Sequence, residues 1–157
     1  MTILGIGVDV LHLPRLTRHL CDNRLARRIL SPTELRDYLA LPKENRERRL
    51  RFLGVRYACF LRRPACSLSQ TTNCRWAIKE AVYKAVYPVV KPTWHDFTLQ
   101  RPIGSPKPDL VYHPKDSQLL LRLGRMHTSV SHDGEYTFAT VIVELPANSN
   151  IISSSDR

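Results

Sequence analysis

Apolar and polar positions along this chain recur with two different periods, and they predict both strands and helices. Residues Thr2 to Val10 carry Ile3, Leu4, Ile6, Val8 and Val10, which predicts a buried strand. Gly5 and Gly7 lie inside it, and glycines within a strand mark close approach of backbone or ligand. Pro14 suits the first turn of a helix; Leu13, Leu16 and Leu20 then repeat at three and four, with Arg15 and Arg18 on the other side. Asn23 to Leu30 continues in the same manner with Arg24, Arg27 and Arg28. Ser31-Pro32-Thr33-Glu34 is a capping box with proline at the first helical position, so a helix is expected from Pro32 to about Ala40, ended by Pro42. Glu44 to Arg56 is helical and very basic, its apolar positions being Leu50, Phe52, Leu53 and Val55.

Trp76 to Tyr87 reads as helix, because Ala, Ile, Lys and Glu dominate and neither Gly nor Pro intrudes before Pro88. Beyond turns at Pro88 and Pro92, strands are expected over Trp94–Gln100, Leu110–Tyr112 and Gln118–Leu123, with a proline-rich loop at Pro102, Pro106 and Pro108. His127 to His132 alternates, Asp133-Gly134 turns, and Tyr136 to Glu144 returns, which is a strong hairpin signal. From Pro146 the chain is polar and Ser-rich, and disorder is expected there. Tyr57 to Arg75 breaks the pattern: it places Pro64, a Ser/Thr/Gln/Asn run and Cys59, Cys66 and Cys74 between two helical stretches.

Composition changes this picture in a few respects. The 157 residues suffice for one domain that buries roughly 70% of its unfolded surface. A formal charge of +10 points to an anionic partner, whether nucleic acid, phosphate-bearing ligand, acidic protein or membrane surface. No apolar run approaches the roughly 20 residues of a membrane span. Four cysteines without a CxxC pair argue against a disulfide framework and a zinc ribbon, and the spacing of Cys59, Cys66 and Cys74 fits no common zinc knuckle. Neither a secretory signal nor an Arg-rich transit peptide is expected at the start, where a strand-like stretch already runs.

Three polar positions carry candidate chemistry. Asp9 is a carboxylate near the end of an apolar strand, costly unless it is paired, hydrogen-bonded or bound to a cation, although capping the next helix is the commoner use. Glu80 and Lys84 are four apart on one helical face, with Trp76 one turn before. Spacing alone makes them an exposed ion pair of a few tenths of a kcal/mol. His132, by itself, is a histidine at the end of a hairpin.

Taken together, Gly5-Ile6-Gly7-Val8-Asp9 with Arg15, Trp76-Ala77-x-Lys79-Glu80-Ala81-x-x-Lys84-Ala85, and Val130-Ser131-His132 before a closing hairpin give a more specific picture. In this order they resemble the 4′-phosphopantetheinyl transferases, and within them the small holo-(acyl-carrier-protein) synthase type. Ile29-Leu30-Ser31-x-x-Glu34-Leu35 and Arg51-Phe52-Leu53-Gly54 match that type too, so the resemblance covers about Ile3 to Val143. It implies an α+β fold, an antiparallel sheet packed against helices, one long helix carrying the Trp76–Ala85 motif. It implies transfer of the phosphopantetheine arm of coenzyme A to a serine of an acyl carrier protein, with release of adenosine 3′,5′-bisphosphate. By the family match Asp9 and Glu80 hold Mg²⁺, a hard cation suited to carboxylate and pyrophosphate oxygens. Lys84 neutralises charge on the transferring phosphoryl group, and His132 contacts a coenzyme A phosphate. The proton acceptor for the serine stays open between Glu80 and a water on the cation. Acyl carrier proteins of this family are acidic and dock on the first helix. Arg15 falls at the position used, and Arg18, Arg24, Arg27 and Arg28 add complementary charge. A homotrimer with sites between subunits is expected, with no nucleic acid or membrane as partner and a cytoplasmic location, or a mitochondrial one in a eukaryote. A basic nucleic-acid-binding module is the rival from another class, supported only by the +10 charge and scattered aromatics, without a recognised binding motif and leaving Asp9 and Glu80 without a task.

The chain departs from the family twice. Relatives run from Phe-Leu-x-x-Arg straight into the Trp76 block, whereas here Tyr57–Arg75, 19 residues, intervenes. Removing them joins Arg56 to Trp76 and sets Leu53 four residues before Trp76, restoring one helical stripe. The domain is therefore read as 1–145 with an insertion at 57–75. The insertion is either a genuine surface loop or a retained intron: AGG-TAT-GCN at Arg56–Ala58 contains a donor-like GTATG, TGC-AGG at Cys74–Arg75 ends in an acceptor AG, and Thr72-Asn73 permits a branch-point-like CTAAC. Pro64 and the polar run are expected to break the helix ahead of Glu80 and to impair activity, in the extreme leaving an inactive product of mis-splicing. Secondly, Pro106 stands where relatives have glycine before Lys107-Pro108, although Lys107 still allows that loop to approach coenzyme A.

Overall fold

The computed structural model describes residues 2–12, 14–15, 23–41, 75–100 and 108–147. Their architecture is α+β. A strand β1 (Ile3–His12) opens the chain, followed by two short helices, α1 (Arg24–Ile29) and α2 (Pro32–Leu39), and by α3 (Arg75–Val86). Strands β2 (Phe97–Gln100) and β3 (Asp109–Tyr112) form a two-stranded antiparallel sheet, and β4 (Met126–Asp133) and β5 (Tyr136–Glu144) form the expected hairpin. Gly134 at its turn takes a positive φ of 51°, a conformation that glycine adopts without penalty. The main sheet runs β1-β5-β4, antiparallel throughout, so the last strand lies between the first and its own hairpin partner.

The helix α3 lies across this sheet and supplies much of the core. Ala77, Ile78, Ala81, Val82, Ala85 and Val86 are buried against Leu11, Ala139, Val141 and Val143. Its approach to β1 is unusually close, and the two strand glycines are the reason. A Cβ on Gly7 would sit 1.8 Å from the carbonyl oxygen of Ala81, and one on Gly5 would sit 2.1 Å from that of Ala85. The glycines therefore serve backbone approach, helix onto strand, rather than a ligand.

Several expectations change in this light. Strand β1 is not buried on both faces: Gly7 and Leu11 face α3, while Ile6, Val8 and Val10, 41 to 57% exposed, line the far face. Period-two geometry forces this division once the glycines take the helix side. Phe138 of β5 stands opposite Val10 on the same outer face and is 44% exposed. Ser117–Arg122 is a 3₁₀ helix rather than a strand; Asp116 accepts from the Gln118 N–H at 2.9 Å and caps it, which sets a tight turn in place of extension. Trp94–Asp96 is likewise a 3₁₀ turn, with the strand beginning at Phe97. The helix predicted for Glu44–Arg56, the segment 57–74 with Cys59, Cys66 and Cys74, and the tail beyond residue 147 lie outside the described residues, as do Arg18 and Lys107. Within the described residues, no helix is long and apolar enough to cross a membrane.

Candidate active site

The close seat of α3 on β1 brings chemistry-bearing residues from distant parts of the chain together. Moving up β1 from Gly5 and Gly7, the next residue on the helix side is Asp9. Along α3 the residues beside it are Glu80 and Lys84, one turn apart. Lys84 donates from Nζ to Asp9 Oδ1 at 2.9 Å and to the Val8 carbonyl at 3.1 Å. The Asp9 side chain is only 13% exposed, so this ammonium offsets much of the cost of its charge. Asp9 is mid-strand here and caps no helix. Glu80 is half-buried, and burial first, then the negative charge of Asp9, raise its pKa above the usual carboxylate value, with Lys84 pulling the other way. Two carboxylates that repel each other beside one ammonium form a site where a small hard cation is electrostatically welcome. The donor set is all oxygen, which fits Mg²⁺ rather than zinc. Among the described residues no group of three or more His, Cys, Asp and Glu side chains gathers at one point.

His132 pairs across β5 with Thr137, which pairs in turn with Leu11, so the three stand on the same side of the sheet as Asp9. The ring Nδ1 lies 3.0 Å from Thr137 Oγ1, a contact that orients the imidazole at the open end of the hairpin. Arg15 is exposed just past β1, and Arg24, Arg27 and Arg28 are exposed on α1, so the described part of the basic cluster faces outward.

A second polar cluster went unforeseen. Glu34, at 3% exposure, accepts from Lys79 Nζ at 2.6 Å, Arg75 Nε at 3.1 Å, the Leu99 N–H at 3.0 Å and the Ser31 N–H at 2.9 Å. Lys79 also donates to the Ile29 carbonyl at 2.7 Å and the Trp94 carbonyl at 3.0 Å. Burial lowers the Lys79 pKa, and the Glu34 carboxylate opposes that fall. The capping box at Ser31–Glu34 is present as predicted, yet it uses only part of Glu34. A Glu that caps its own helix carries no local mark of a partner 45 residues away; the signal that remained was a lysine and an arginine, four apart, on the otherwise apolar side of α3.

Fold and site together define a class: an α+β domain that sets two carboxylates and a lysine where a helix crosses the first strand. Comparison with known proteins sharpens this. The model of the 4′-phosphopantetheinyl transferase superfamily matches residues 5–141. A relative named holo-[acyl-carrier-protein] synthase from Koribacter versatilis (strain Ellin345) is 32% identical over 148 residues, covering 90% of this chain and 98% of its own. Among solved structures, a holo-(acyl-carrier-protein) synthase from Bacillus anthracis in complex with CoA (3′,5′-ADP) superposes with a TM-score of 0.62 at 24% identity, over 92% of this chain and 99% of that one. The holo-ACP-synthase from Plasmodium yoelii gives a TM-score of 0.64 at 17% identity, over 90% and 95%. The chain belongs to the 4′-phosphopantetheinyl transferase superfamily, and it is an enzyme of the holo-(acyl-carrier-protein) synthase type.

Proposed function

We propose that this enzyme transfers the 4′-phosphopantetheine group of coenzyme A to a serine of an acyl carrier protein and releases adenosine 3′,5′-bisphosphate. One observation carries the reading: Asp9 of the first strand and Glu80 and Lys84 of α3 converge at one place, with charges close enough to perturb one another. Asp9 and Glu80 are the residues that would hold Mg²⁺, which supplies positive charge opposite the pyrophosphate oxygens. The remaining work falls to the chain itself. Lys84 has a partly exposed side chain with one donor left beyond its bonds to Asp9 and Val8, and that donor could hold a phosphoryl oxygen and offset its charge. Glu80, beside Lys84 and Asp9, is a candidate proton acceptor for the incoming serine hydroxyl. By family match His132 is assigned to a coenzyme A phosphate, Lys107 to a loop that approaches coenzyme A, and Arg15 to the acidic carrier; Arg18 and Arg24 are assigned to the carrier by charge.

The uncovered outer face of the main sheet supports a homotrimer. Ile6, Val8, Val10 and Phe138 form a contiguous apolar surface across two paired strands, the kind of patch that self-association covers. Residues 57–75 are read as excess to the domain, and Arg75 adds weight to this. It is the insertion's last residue, yet its guanidinium sits in the core against Glu34. Excision of 57–75 would leave Arg56 directly before Trp76, so the same side chain would be available at the same place.

The test is incubation with coenzyme A, Mg²⁺ and an apo acyl carrier protein, followed by mass spectrometry of the carrier. A gain of one phosphopantetheine, lost in Asp9→Ala and Glu80→Ala, is expected. A carrier whose mass never changes, in the presence of folded protein, refutes the assignment.

A further inference from the structure

We propose that Glu34, which touches none of the reacting groups, is a positioning residue for the Asp9–Glu80 cation site, because it clamps the rotation of α3 through Lys79 and Arg75. The inference rests on the transferase reading above and deepens it.

The helix is held from two directions. On one side the Ala81 and Ala85 carbonyls lie against Gly7 and Gly5. Contact with glycine sets the distance between helix and strand, but a smooth backbone surface does little to stop a helix turning about its own axis. On another side Arg75 and Lys79, one turn apart, both end on the Glu34 carboxylate. That carboxylate is itself fixed by the Ser31 and Leu99 N–H groups, so it belongs rigidly to the start of α2 and to β2. Lys79 is tied a second and third time, to the Ile29 and Trp94 carbonyls. All of these groups except the part-buried Trp94 carbonyl are buried, where charge-assisted hydrogen bonds are directional and hard to replace with water. Glu80 is the next residue after Lys79 and shares its backbone, so any rotation that frees Lys79 moves Glu80 too.

The magnitude decides that such rotation matters. A side chain's tip lies about 5–6 Å from a helix axis, so a turn of roughly 10° carries it about 1 Å sideways. A divalent cation accepts ligand distances within only about 0.2 Å. A misplacement of about 1 Å can cost on the order of 10²-fold in a reaction. Core packing of Ile78, Val82 and Val86 keeps α3 in the molecule without the clamp. The expected defect is therefore a folded protein with a loosened cation site.

The experiment measures Mn²⁺ binding to the full chain by the electron paramagnetic resonance signal of the free ion, with near-UV circular dichroism and melting temperature recorded for every variant. Wild type, Asp9→Ala and Glu80→Ala establish whether binding uses the two carboxylates. Glu34→Gln keeps the shape and removes the charge; Arg75→Gln is the milder lesion if Glu34→Gln does not fold. Leu110→Ala, a cavity on β3 that leaves the Glu34 contacts intact, serves as a variant matched for lost stability. At least a tenfold rise in the Mn²⁺ dissociation constant is expected in the clamp variants, and in Leu110→Ala no change. In the transfer assay the Mg²⁺ concentration for half-maximal rate should shift in parallel. A clamp variant that is folded and binds Mn²⁺ as wild type does overturns the inference, as does an equal loss in Leu110→Ala. Wild-type binding that ignores both Asp9→Ala and Glu80→Ala overturns the transferase reading, and this inference with it; binding that needs both beside an indifferent Glu34→Gln overturns this inference alone.

Discussion

Gly7→Ala should disable the enzyme more thoroughly than its size implies. The added methyl would lie 1.8 Å from the Ala81 carbonyl oxygen, 2.8 Å from its carbon and 2.7 Å from the Ala85 nitrogen. Every one of those atoms is backbone, so no rotamer change relieves the collision. Reaching even a tight contact of about 3 Å requires α3 to retreat by roughly 1.2 Å, and ordinary carbon contacts lie farther still, at about 3.5–4.0 Å. Overpacking of this kind costs about 1–3 kcal/mol, and a rigid obstacle puts it near the top of that range. Losing a glycine from the unfolded chain returns about 0.4–1 kcal/mol. A net loss of about 2 kcal/mol lowers the melting temperature by about 4–8 °C in a chain of this length. The retreat also draws Glu80 and Lys84 off Asp9, stretching the 2.9 Å contact of Lys84, so carrier labelling should fall by on the order of 10²-fold or more in molecules that remain folded. Thermal denaturation by circular dichroism and the labelling assay at a temperature well below both melting points measure the two effects. Adding Ala81→Gly should rescue neither, because the obstacle is the carbonyl and not the alanine methyl. Full activity and an unchanged melting temperature in Gly7→Ala would refute the reasoning, and rescue by Ala81→Gly would place the collision elsewhere.

Other outcomes follow from the same geometry. Glu80 has a folded pKa above its unfolded value, so its ionisation costs stability, and that cost appears as pH rises from the unfolded to the folded pKa. Glu80→Gln should therefore melt higher than wild type near neutral pH without divalent metal, while losing transfer activity, and the gain should vanish at acid pH; equal melting curves at all pH values would contradict it. Val10→Asp or Phe138→Asp should break the proposed homotrimer into monomers in light-scattering chromatography, with loss of labelling, and a mass equal to that of the parent chain would remove the outer sheet face as the interface. A chain lacking residues 57–75 should label the carrier faster than the full chain, and should need Arg56 to do so: Arg56→Met in the shortened chain should be less stable by about 1.5–3 kcal/mol, the usual worth of one hydrogen bond to a charged group, because Lys79 still pairs Glu34. Equal turnover by long and short chains would count against the insertion being excess.

Local structure was largely legible from the sequence, and long-range structure was legible only where a motif carried it. Ser31-Pro32-Thr33-Glu34 states its own helix start, because both hydrogen bonds of the capping box close within four residues. Asp133-Gly134 states its own turn for the same reason. Glu80 and Lys84 share a face by helical arithmetic alone. That Asp9 lies beside them is a fact about how α3 crosses β1, and only the resemblance to a family made it foreseeable. The burial of Arg75, Lys79 and Glu34 was invisible, since charged residues are by default read as solvated. The outward-facing apolar residues of β1 misled for a related reason: the strand has hydrophobic residues on one face and glycines on the other, and the glycines, which look like gaps, mark the better-packed side.

The pairing of β1 with β5 has a consequence for how the protein is made. Asp9 leaves the ribosome early, but its strand waits for Tyr136–Glu144 before it can hydrogen-bond along its length. At the usual 5–20 residues per second, that interval is on the order of ten seconds. Through it the nascent chain carries Ile6, Val8 and Val10 on a strand with no neighbour, and any message cut short before the final hairpin yields a polypeptide holding Asp9, Glu80 and Lys84 yet no main sheet to set them in. Loss of the last strand should thus be as silencing as loss of the aspartate itself.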